Sequence, residues 1–597
     1  MTAVRPVSGR LARAAVAGIA LLLAVSGCVE LPQRSGVHAG RDVGVQVQQP
    51  PPFNRPSGPR AGASPTAIAQ GYLAAMLAYP QSDALVRQFM TPHAAASWDP
   101  ARGTVVYENQ TLVTRRHSVV LTGEVLGSLD SRGSWHSASK ASSPLALRLR
   151  FERVGGQWRI ANPPPGTYVP NSFFTLYYEP LSLYFFDPER AVLVPAPVFV
   201  LQGRAAPTTL VRDVLRGPTG ELKGMVVTAA PSTTSLQRPV RVSPSGVAEV
   251  PLSPEVLGLS SLGRRLLASQ LVWTLNAPQL GIAGVGIRVK GRALAIPGVG
   301  DVMGTDAPSA YDPTGLAASR LLFASSRAGR LVSLSGNSVA AVPGAIGRVR
   351  ARHGSAAVDL SGSTAAVVTS KRDKVVVGSL ETGSAAGGPE VWYAGGSDLL
   401  RPSWDLFHDL WLVDATSEGA MLIVVHKSPG GQLVRRVVDA PGISGADVRS
   451  FAVSRDGVRF AAVLGKGKAS ELVLAIIHRR PGEPGDVHLT RLHRVTNADY
   501  PLVNMSYLAW SSPTQLAVLG QDQGSQTQPY EVSIDGSSVT PLTGFLPVQP
   551  VSLGAGPNTD APIVLGAGKG RIFVRTPDGQ WRPLGLDQQI FRPFYPG

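Results

Sequence analysis

The stretch Ala357–Val368 reads AVDLSGSTAAVV, and Ala452–Val463 repeats the same plan as AVSRDGVRFAAV. Each copy has an apolar strand, a polar turn that contains glycine, and a second apolar strand. Looser copies pair residues 402–405 with 410–413, and residues 509–512 with 515–518. The copies recur at a period of about fifty residues, the length of one four-stranded propeller blade with its loops. The sequence therefore predicts an all-β propeller of about six blades over residues 310–597.

Closure of such a ring has a physical basis. A blade cannot bury both of its faces alone, so each blade needs its neighbours, and the ring removes most exposed sheet edges. Two β-sandwiches are the alternative, but they would not explain the repeat. Within the repeat, Asp456-Gly457 is interpreted as a structural hairpin turn. Trp404 and Trp510 occupy equivalent positions, which favours core or inter-blade packing over a binding role.

The region before the propeller indicates an α+β module over residues 63–170. Ser64 and Pro65 precede apolar residues at three- and four-residue spacing, which predicts a helix from Pro65 to about Ala78. A second short helix follows around residues 84–90. The chain then alternates apolar and polar residues in several strands, the last of which is Gln157–Ile160. Helices followed by a curved antiparallel sheet resemble the cone-shaped NTF2-like fold.

A second α+β module is expected over residues 171–305. Its segments are a strand at Tyr184–Phe186, a helix that ends at Leu215–Thr219, and the runs Val247–Ser253, Leu271–Leu275 and Val285–Ile287. Their order and wording resemble the GerMN module of spore-germination and envelope lipoproteins. The predicted fold class is therefore multidomain, with an NTF2-like and then a GerMN-like α+β module followed by an all-β propeller.

The N-terminus has the layout of an export signal, with a positive start, the uncharged run Ala14–Val25 and then small residues. That run is too short to span a bilayer core comfortably, which takes about 20 apolar residues. Val25-Ser26-Gly27-Cys28 resembles the lipobox of bacterial lipoproteins, which implies removal of residues 1–27 and lipidation of Cys28. The alternatives are an ordinary signal peptide cut nearby, with Cys28 incidental, and a single anchoring helix left uncut.

Cys28 is the only cysteine in 597 residues. A lone thiol has no intramolecular disulfide partner in an oxidising compartment, and lipidation would cap it. One acyl chain holds a protein at a membrane reversibly, whereas two or three hold it stably. Residues 28–62, rich in Pro, Gln, Gly and Arg, then act as an extended tether. We therefore expect the mature chain on the outer face of the cytoplasmic membrane, anchored by lipid.

The charge balance is basic, with 56 Lys+Arg against 40 Asp+Glu and a formal net charge of +16. Spread over an exported protein, this charge favours contact with anionic lipid head groups or acidic wall polymers. A plain compositional bias towards Arg, Ala and Gly explains it equally well. Nucleic acid is excluded, because it calls for clustered Lys and Arg with interleaved aromatics and an exported chain rarely meets it.

The sequence contains no catalytic spacing and no cofactor motif. Residues 566–570 read GAGKG, but glycine stands where a phosphate loop has Ser or Thr, and a strand follows, so a blade turn is expected. Neither a Gly-x-Ser-x-Gly elbow nor a His-Glu-x-x-His motif is present. Asp405, His408 and Asp409 suggest a metal or acid/base site, but a solvated turn between two strands is the favoured interpretation. The lone cysteine excludes a thiolate zinc site.

Two further histidines, His488 and His493, lie beside Arg491 and Arg494. Nearby cations disfavour metal binding, so these histidines are interpreted as surface residues. No metal site is therefore expected.

Over its whole length the chain is identified as a member of the LpqB family of actinobacterial lipoproteins, on the lipobox at Cys28, the GerMN resemblance and the propeller. This resemblance implies a non-enzymatic regulator that binds the extracellular domain of a sensor histidine kinase of the MtrA/MtrB type, with effects on cell-wall homeostasis and division. A wall-polymer or sugar receptor that uses the propeller face is the alternative. A propeller hydrolase or lyase is disfavoured by the missing catalytic spacings. The binding residues stay unknown, because propeller loops recognise partners without fixed spacing.

Overall fold

The structure is a computed structural model that describes residues 55–115, 118–138, 143–306, 309–313, 321–381, 388–480, 483, 485–497, 500–522, 524–556 and 561–597. Cys28, the expected signal peptide and the tether up to residue 54 lie outside these residues. Three modules follow one another along the described chain, and all of them belong to one compact unit.

The first module packs helices against a six-stranded sheet. Its helices are α1 (Pro65–Met76), α2 (Asp83–Arg87) and α3 (Pro92–Ser97), and its strands are β1 (Thr104–Arg115), β2 (Ser118–Leu129), β3 (Trp135–Ser137), β4 (Pro144–Val154), β5 (Gln157–Ile160) and β6 (Thr167–Pro170). The strand order is β5-β4-β2-β1-β6, and β3 also pairs with β2. Ser64 Oγ accepts a hydrogen bond from Ala67 N and caps α1, which buries Ile68 and Tyr72 in the core of the module. The last strand, β6, runs parallel to β1.

The middle module combines a hairpin with a β-α-β unit. Its elements are α4 (Asn171–Tyr177), β7 (Tyr178–Phe186), β8 (Leu193–Leu201), α5 (Ala206–Leu215), β9 (Arg241–Val242), β10 (Val247–Leu252), α6 (Ser261–Leu275), β11 (Gly284–Val289), β12 (Arg292–Ala293) and β13 (Met303–Gly304). Strands β10 and β11 are parallel, and α6 connects them. At the hairpin turn, Asp187 Oδ1 accepts from the backbone N–H groups of Ala191 (2.7 Å) and Val192 (2.8 Å).

The propeller has six four-stranded blades within the described residues. Blade 1 is β14 (Leu322–Ser326), β15 (Leu331–Ser335), β16 (Ser338–Ala341) and β38 (Ile590–Phe594); blade 2 is β17 (Ala351–Val358), β18 (Thr364–Thr369), β19 (Lys374–Ser379) and β20 (Glu390–Ala394); blade 3 is β21 (Ser403–Trp404), β22 (Leu410–Thr416), β23 (Gly419–Lys427) and β24 (Leu433–Val437). Blade 4 is β25 (Val448–Val453), β26 (Arg459–Leu464), β27 (Glu471–Arg479) and β28 (Val487–Leu489), with β29 (His493–Arg494) on β27; blade 5 is β30 (Val503–Ser512), β31 (Gln515–Gln521), β32 (Gln528–Ser533) and β33 (Val539–Pro541); blade 6 is β34 (Pro550–Gly554), β35 (Val564–Ala567), β36 (Arg571–Arg575) and β37 (Trp581–Pro583).

The last strand closes the ring. β38 pairs antiparallel with β14, so that Phe594 lies opposite Phe323 with the two ring centroids 6.0 Å apart. Blade 1 therefore takes one strand from the far end of the chain and three from its own segment. This pairing covers the sheet edge that an open array of blades would expose.

Neighbouring blades share their apolar cores. Trp404 is 2% exposed and packs with residues of blades 2 and 3, and its ring lies 5.5 Å from that of Trp392. Trp510 is also buried, in a cluster formed by blades 4 and 5. The prediction that these two tryptophans pack between blades is confirmed.

The predicted fold class, two α+β modules followed by an all-β propeller, is confirmed. Among the described residues, no helix has the length and apolar character that crossing a membrane takes.

Candidate functional site

Asp405 and Asp409 lie in the turn between β21 and β22, where the sequence places them. Both are buried, at 2% and 1% exposure, so the prediction that this turn is solvated is wrong. The reason is tertiary, because Arg479 from the end of β27 in the next blade reaches over the turn and contacts both carboxylates.

Each oxygen of Asp405 has partners. Oδ1 accepts from the backbone N–H groups of Phe407 (2.9 Å) and Asp409 (3.0 Å), and Oδ2 accepts from Trp411 Nε1 (2.6 Å) and from Arg479 Nη2. Arg479 Nη1 donates to Asp409 Oδ2 (2.5 Å), and its guanidinium lies 4.2 Å from the centroid of the Phe407 ring. The turn is therefore held by a network that joins blade 3 to blade 4.

His426 completes this network, and His408 does not. His426 Nδ1, on β23, lies 2.7 Å from Asp409 Oδ1. His408 is exposed, at a left-handed backbone position with φ of +60°. Sequence reasoning missed His426 because it is seventeen residues from Asp409 and follows no local motif; only the pairing of β22 with β23 brings the two together.

The electrostatics of the network indicate a structural role for Asp405 and Asp409 and not an acid/base role. Burial raises the pKa of Asp409, the Asp405 carboxylate raises it further, and the contacts with Arg479 and His426 do not cancel these effects. Burial alone would lower the pKa of Arg479, but the carboxylates of Asp405 and Asp409 outweigh it and raise that pKa. Both carboxylates are thus committed to fixed partners inside the protein.

The other sequence candidates fall into turns and edges. Gly566–Gly570 spans the turn between β35 and β36, and Asp456-Gly457 lies in the turn between β25 and β26 with φ of +69° at Gly457; both predictions are confirmed. His488 is exposed on β28, as predicted. Across the described part of the chain, no group of three or more His, Cys, Asp or Glu side chains is arranged to hold a metal ion.

His493 is not a plain surface residue. It is half-buried, and its Nδ1 lies 2.9 Å from Glu221 Oε2 of the middle module. The sequence could not show this contact, because Glu221 belongs to a different module and is 272 residues away. His493 therefore marks the junction between the middle module and blade 4.

This junction is a shared core. Val458 and Ile476 of blade 4 belong to the apolar cluster of the middle module. Arg459, which is 4% exposed, donates through Nη2 to the Pro195 carbonyl of β8, and its Nη1 lies 3.4 Å from Asp456 Oδ2. Burial lowers the pKa of Arg459, and the charges of Asp456 and Glu221 act against that effect.

A cleft opens beside the junction, between the middle module and blade 5. Its volume is about 300 Å³. The walls carry aromatic, amide and carboxylate side chains, among them Tyr184, Trp273, Asn276, Gln515 and Asp535. Clefts between domains are frequent sites for small ligands.

Comparisons with known proteins match both ends of the described chain. A family model described as "Lipoprotein LpqB beta-propeller domain" matches residues 329–596, and one described as "Lipoprotein LpqB, N-terminal domain" matches residues 58–175. Lipoprotein LpqB of Cutibacterium acnes is 30% identical, over 96% of this chain and 97% of that protein. Lipoprotein LpqB of Streptomyces coelicolor is 28% identical, over 98% of this chain and 97% of that protein.

Solved structures resemble separate parts of the chain. The first GerMN domain of the sporulation protein GerM from Bacillus subtilis is 20% identical, with 21% of this chain and 96% of that chain covered and a TM-score of 0.18. A chain of a nidogen/laminin complex is 10% identical, with 46% of this chain and 97% of that chain covered and a TM-score of 0.31.

Arg479→Met tests whether the ion pairs of Arg479 with Asp405 and Asp409 hold blades 3 and 4 together. Removing the cation leaves two carboxylates buried without it, so the free energy of unfolding should fall by about 3–5 kcal/mol at pH 7. The pKa of Asp409 is raised in the folded protein, so the folded chain binds a proton more readily than the unfolded chain as the pH falls. In the variant, that proton neutralises a carboxylate that has lost its cation. The deficit should therefore shrink between pH 7 and pH 5 in urea unfolding.

Arg480→Met is the matched control. Arg480 is the next residue, is exposed, and pairs with Asp486 at 2.8 Å on the surface. We expect its replacement to change stability by less than about 1 kcal/mol, with no added pH dependence. Equal losses of unfolding free energy for the two variants would show that the buried network does not stabilise the contact between the blades.

Proposed function

This chain belongs to the LpqB lipoprotein family, and from that premise we propose that it is a non-enzymatic regulator, anchored by lipid outside the cytoplasmic membrane, that binds the extracellular domain of a sensor histidine kinase. The kinase is of the MtrA/MtrB two-component type, and its modulation affects cell-wall homeostasis and division. Family membership supports the lipoprotein character. The partner is the proposal.

The contacts of the acidic side chains support a role without catalysis. Asp405 and Asp409, the acids that most resemble an acid/base pair, are saturated by backbone, Trp411, His426 and Arg479. A general base needs a position where a substrate proton reaches it. These two carboxylates offer none, because they are 2% and 1% exposed.

The shared core at the junction is the observation that carries the proposal. Val458 and Ile476 of blade 4 pack into the core of the middle module, and Arg459 bonds the Pro195 carbonyl. Middle module and propeller therefore present their surfaces in a fixed relation. A regulator shifts a kinase between two states only through different affinities for them, and a fixed surface discriminates two shapes better than a mobile one.

Phe545 is the side chain best placed to anchor such a contact. It is 80% exposed in the loop between β33 and β34. Large aromatic side chains dominate the binding energy of protein interfaces when a partner buries them. Because Phe545 is the most exposed large apolar side chain of the described residues, we place it in the proposed kinase-binding surface.

A sugar-binding receptor is the second candidate, and the interdomain cleft favours it. The cleft lies between β7, β8, the end of α6 and blade 5, which differs from the propeller face expected from the sequence. Trp273 is half-buried there, and its ring lies 5.5 Å from that of Tyr184. Aromatic rings beside amide and carboxylate groups suit the apolar faces and hydroxyl groups of a sugar.

The kinase proposal predicts direct binding. A soluble fragment that begins near Ala61 should bind the purified outer domain of the kinase at micromolar concentration or below in biolayer interferometry. Phe545→Ser should weaken binding by about tenfold or more, because it removes an aromatic anchor worth roughly 2 kcal/mol. Val437→Ser, at a site that is 68% exposed on blade 3, is the control and should bind like the parent. No binding at micromolar concentration would remove this proposal.

The anchor proposal predicts a heavier, membrane-held protein. Intact mass of the membrane-extracted chain should equal residues 28–597 plus acyl groups, because lipid on the Cys28 thiol supplies the attachment. Cys28→Ala should lose that added mass and leave the membrane fraction, while Ser26→Ala, which keeps the cysteine after small residues, should be processed. A Cys28→Ala protein that stays with the bilayer as firmly as the parent would contradict lipid anchoring.

The sugar proposal predicts saturable binding of a wall-type oligosaccharide. Calorimetry with a trisaccharide of N-acetylglucosamine should detect one site, and Trp273→Ala should raise its Kd about tenfold, which corresponds to about 1.4 kcal/mol of lost stacking. Trp158→Ala replaces another half-buried tryptophan, on β5 of the first module, and should leave the Kd unchanged. A trisaccharide that does not bind, or binds both variants alike, would eliminate the cleft as this receptor.

A further inference from the structure

A small cavity lies where the blades converge. It is lined by residues of β21, β25, β30, β34 and β38, one strand from each of five blades, and by the segment Tyr595–Gly597. Its volume is about 40 Å³. Each water molecule takes at least about 10–15 Å³ of such space, so the cavity has room for about three waters or one small ion.

Two arginines from different blades line this cavity. Arg401 precedes β21, its Nε donates to the Ala356 carbonyl (3.1 Å), and its guanidinium lies 4.4 Å from the centroid of the Phe594 ring. Arg455, in the turn after β25, donates through Nη2 to the Pro596 carbonyl (2.8 Å). Each side chain has five N–H donors, so these contacts leave most of them unused.

Neither guanidinium has a carboxylate partner among the ion pairs of the described residues. Arg455 is 9% exposed, and its Nε is buried without a hydrogen-bond partner. Burial lowers the pKa of Arg455 to about 9, and burial lowers the pKa of Arg401 to about 10 against a small opposing effect of Tyr507. Arg455 is therefore a buried cation with unused donors, and Arg401, which is half-buried, adds a second positive charge beside the same cavity, so the two together attract an anion.

The contrast with Arg479 shows what is missing. Arg479 reaches into the neighbouring blade as well, but it meets the carboxylates of Asp405 and Asp409, which raise its pKa. Arg401 and Arg455 meet carbonyl oxygens and an aromatic face instead.

We propose that the axial cavity of the propeller binds one small oxyanion, held between the guanidinium groups of Arg401 and Arg455. The planar guanidinium fork matches the oxygens of a phosphate or carboxylate group in paired hydrogen bonds. The cavity volume limits the ligand to a single such group. Arg401 is only half-buried, which gives an ion a route from solvent without opening the ring.

An anion in this cavity would link segments from several blades. Arg401 directly precedes the first strand of blade 3, and Arg455 lies in blade 4. Strand β38, which also lines the cavity, completes blade 1. One ion bound by these segments would therefore stabilise the closed propeller against opening, in the way that any ligand of the native state stabilises it.

Inorganic phosphate is the probe for this site. The full chain in detergent, freed of phosphate and sulfate, is titrated with phosphate at constant ionic strength and pH 7, while thermal unfolding and calorimetric binding are followed. We expect binding of one phosphate and a saturable rise of Tm by a few degrees. Acetate should compete, because it offers the same pair of oxygens, and chloride should do so only weakly.

Arg455→Met should abolish the phosphate-dependent shift, whereas Arg582→Met should keep it, because Arg582 is an exposed side chain of blade 6. Arg401→Met is the second variant for the case in which Arg455→Met does not fold, and it should weaken phosphate binding at least tenfold. A wild-type Tm that phosphate leaves unchanged would overturn the proposal, because the charges would then be balanced from within the chain. An equal shift in Arg401→Met and Arg582→Met would overturn it as well.

Discussion

The antiparallel pairing of β38 with β14 is the contact on which the architecture depends. It joins the last described strand to the first blade and pairs Phe323 with Phe594, which lie 271 positions apart in the sequence. Without it, blade 1 would lack a strand and β14 would be an exposed sheet edge. The same strand carries Phe594 against Arg401 and leads the segment that ends at Gly597 into the axial cavity. Ring closure therefore completes blade 1 and also supplies part of the lining of the axial cavity.

Buried charge is treated in two different ways within this ring. Arg479, Asp405, Asp409 and His426 form a closed network in which the carboxylates and the cation find fixed partners. Such a network joins neighbouring blades and has no spare capacity for a substrate. Arg401 and Arg455 are the opposite case, since their donors outnumber the acceptors that the described residues supply. The two places therefore differ in whether the charged groups have partners within the protein, and the proposed anion would bind at the place where they do not.

The junction with the middle module extends the rigid body beyond the propeller. Arg459 reaches the Pro195 carbonyl, and His493 lies next to Glu221, so polar contacts surround the apolar contact made by Val458 and Ile476. The result is one scaffold with a cleft between the middle module and blade 5. Phe545 is an exposed aromatic side chain in the loop between β33 and β34.

Local pattern determined a good deal of this protein. The strand-turn-strand repeat predicted the propeller and its packing tryptophans, and glycine placed the turns at Asp456-Gly457 and residues 566–570, because period and turn chemistry are properties of neighbouring residues. Tertiary structure alone decided that Asp405 and Asp409 are buried, that His426 replaces His408, that His493 meets Glu221, and that Arg401 and Arg455 share a cavity. Those outcomes join residues from different strands, blades or modules, and sequence spacing carries no information about contacts that only ring closure and docking create.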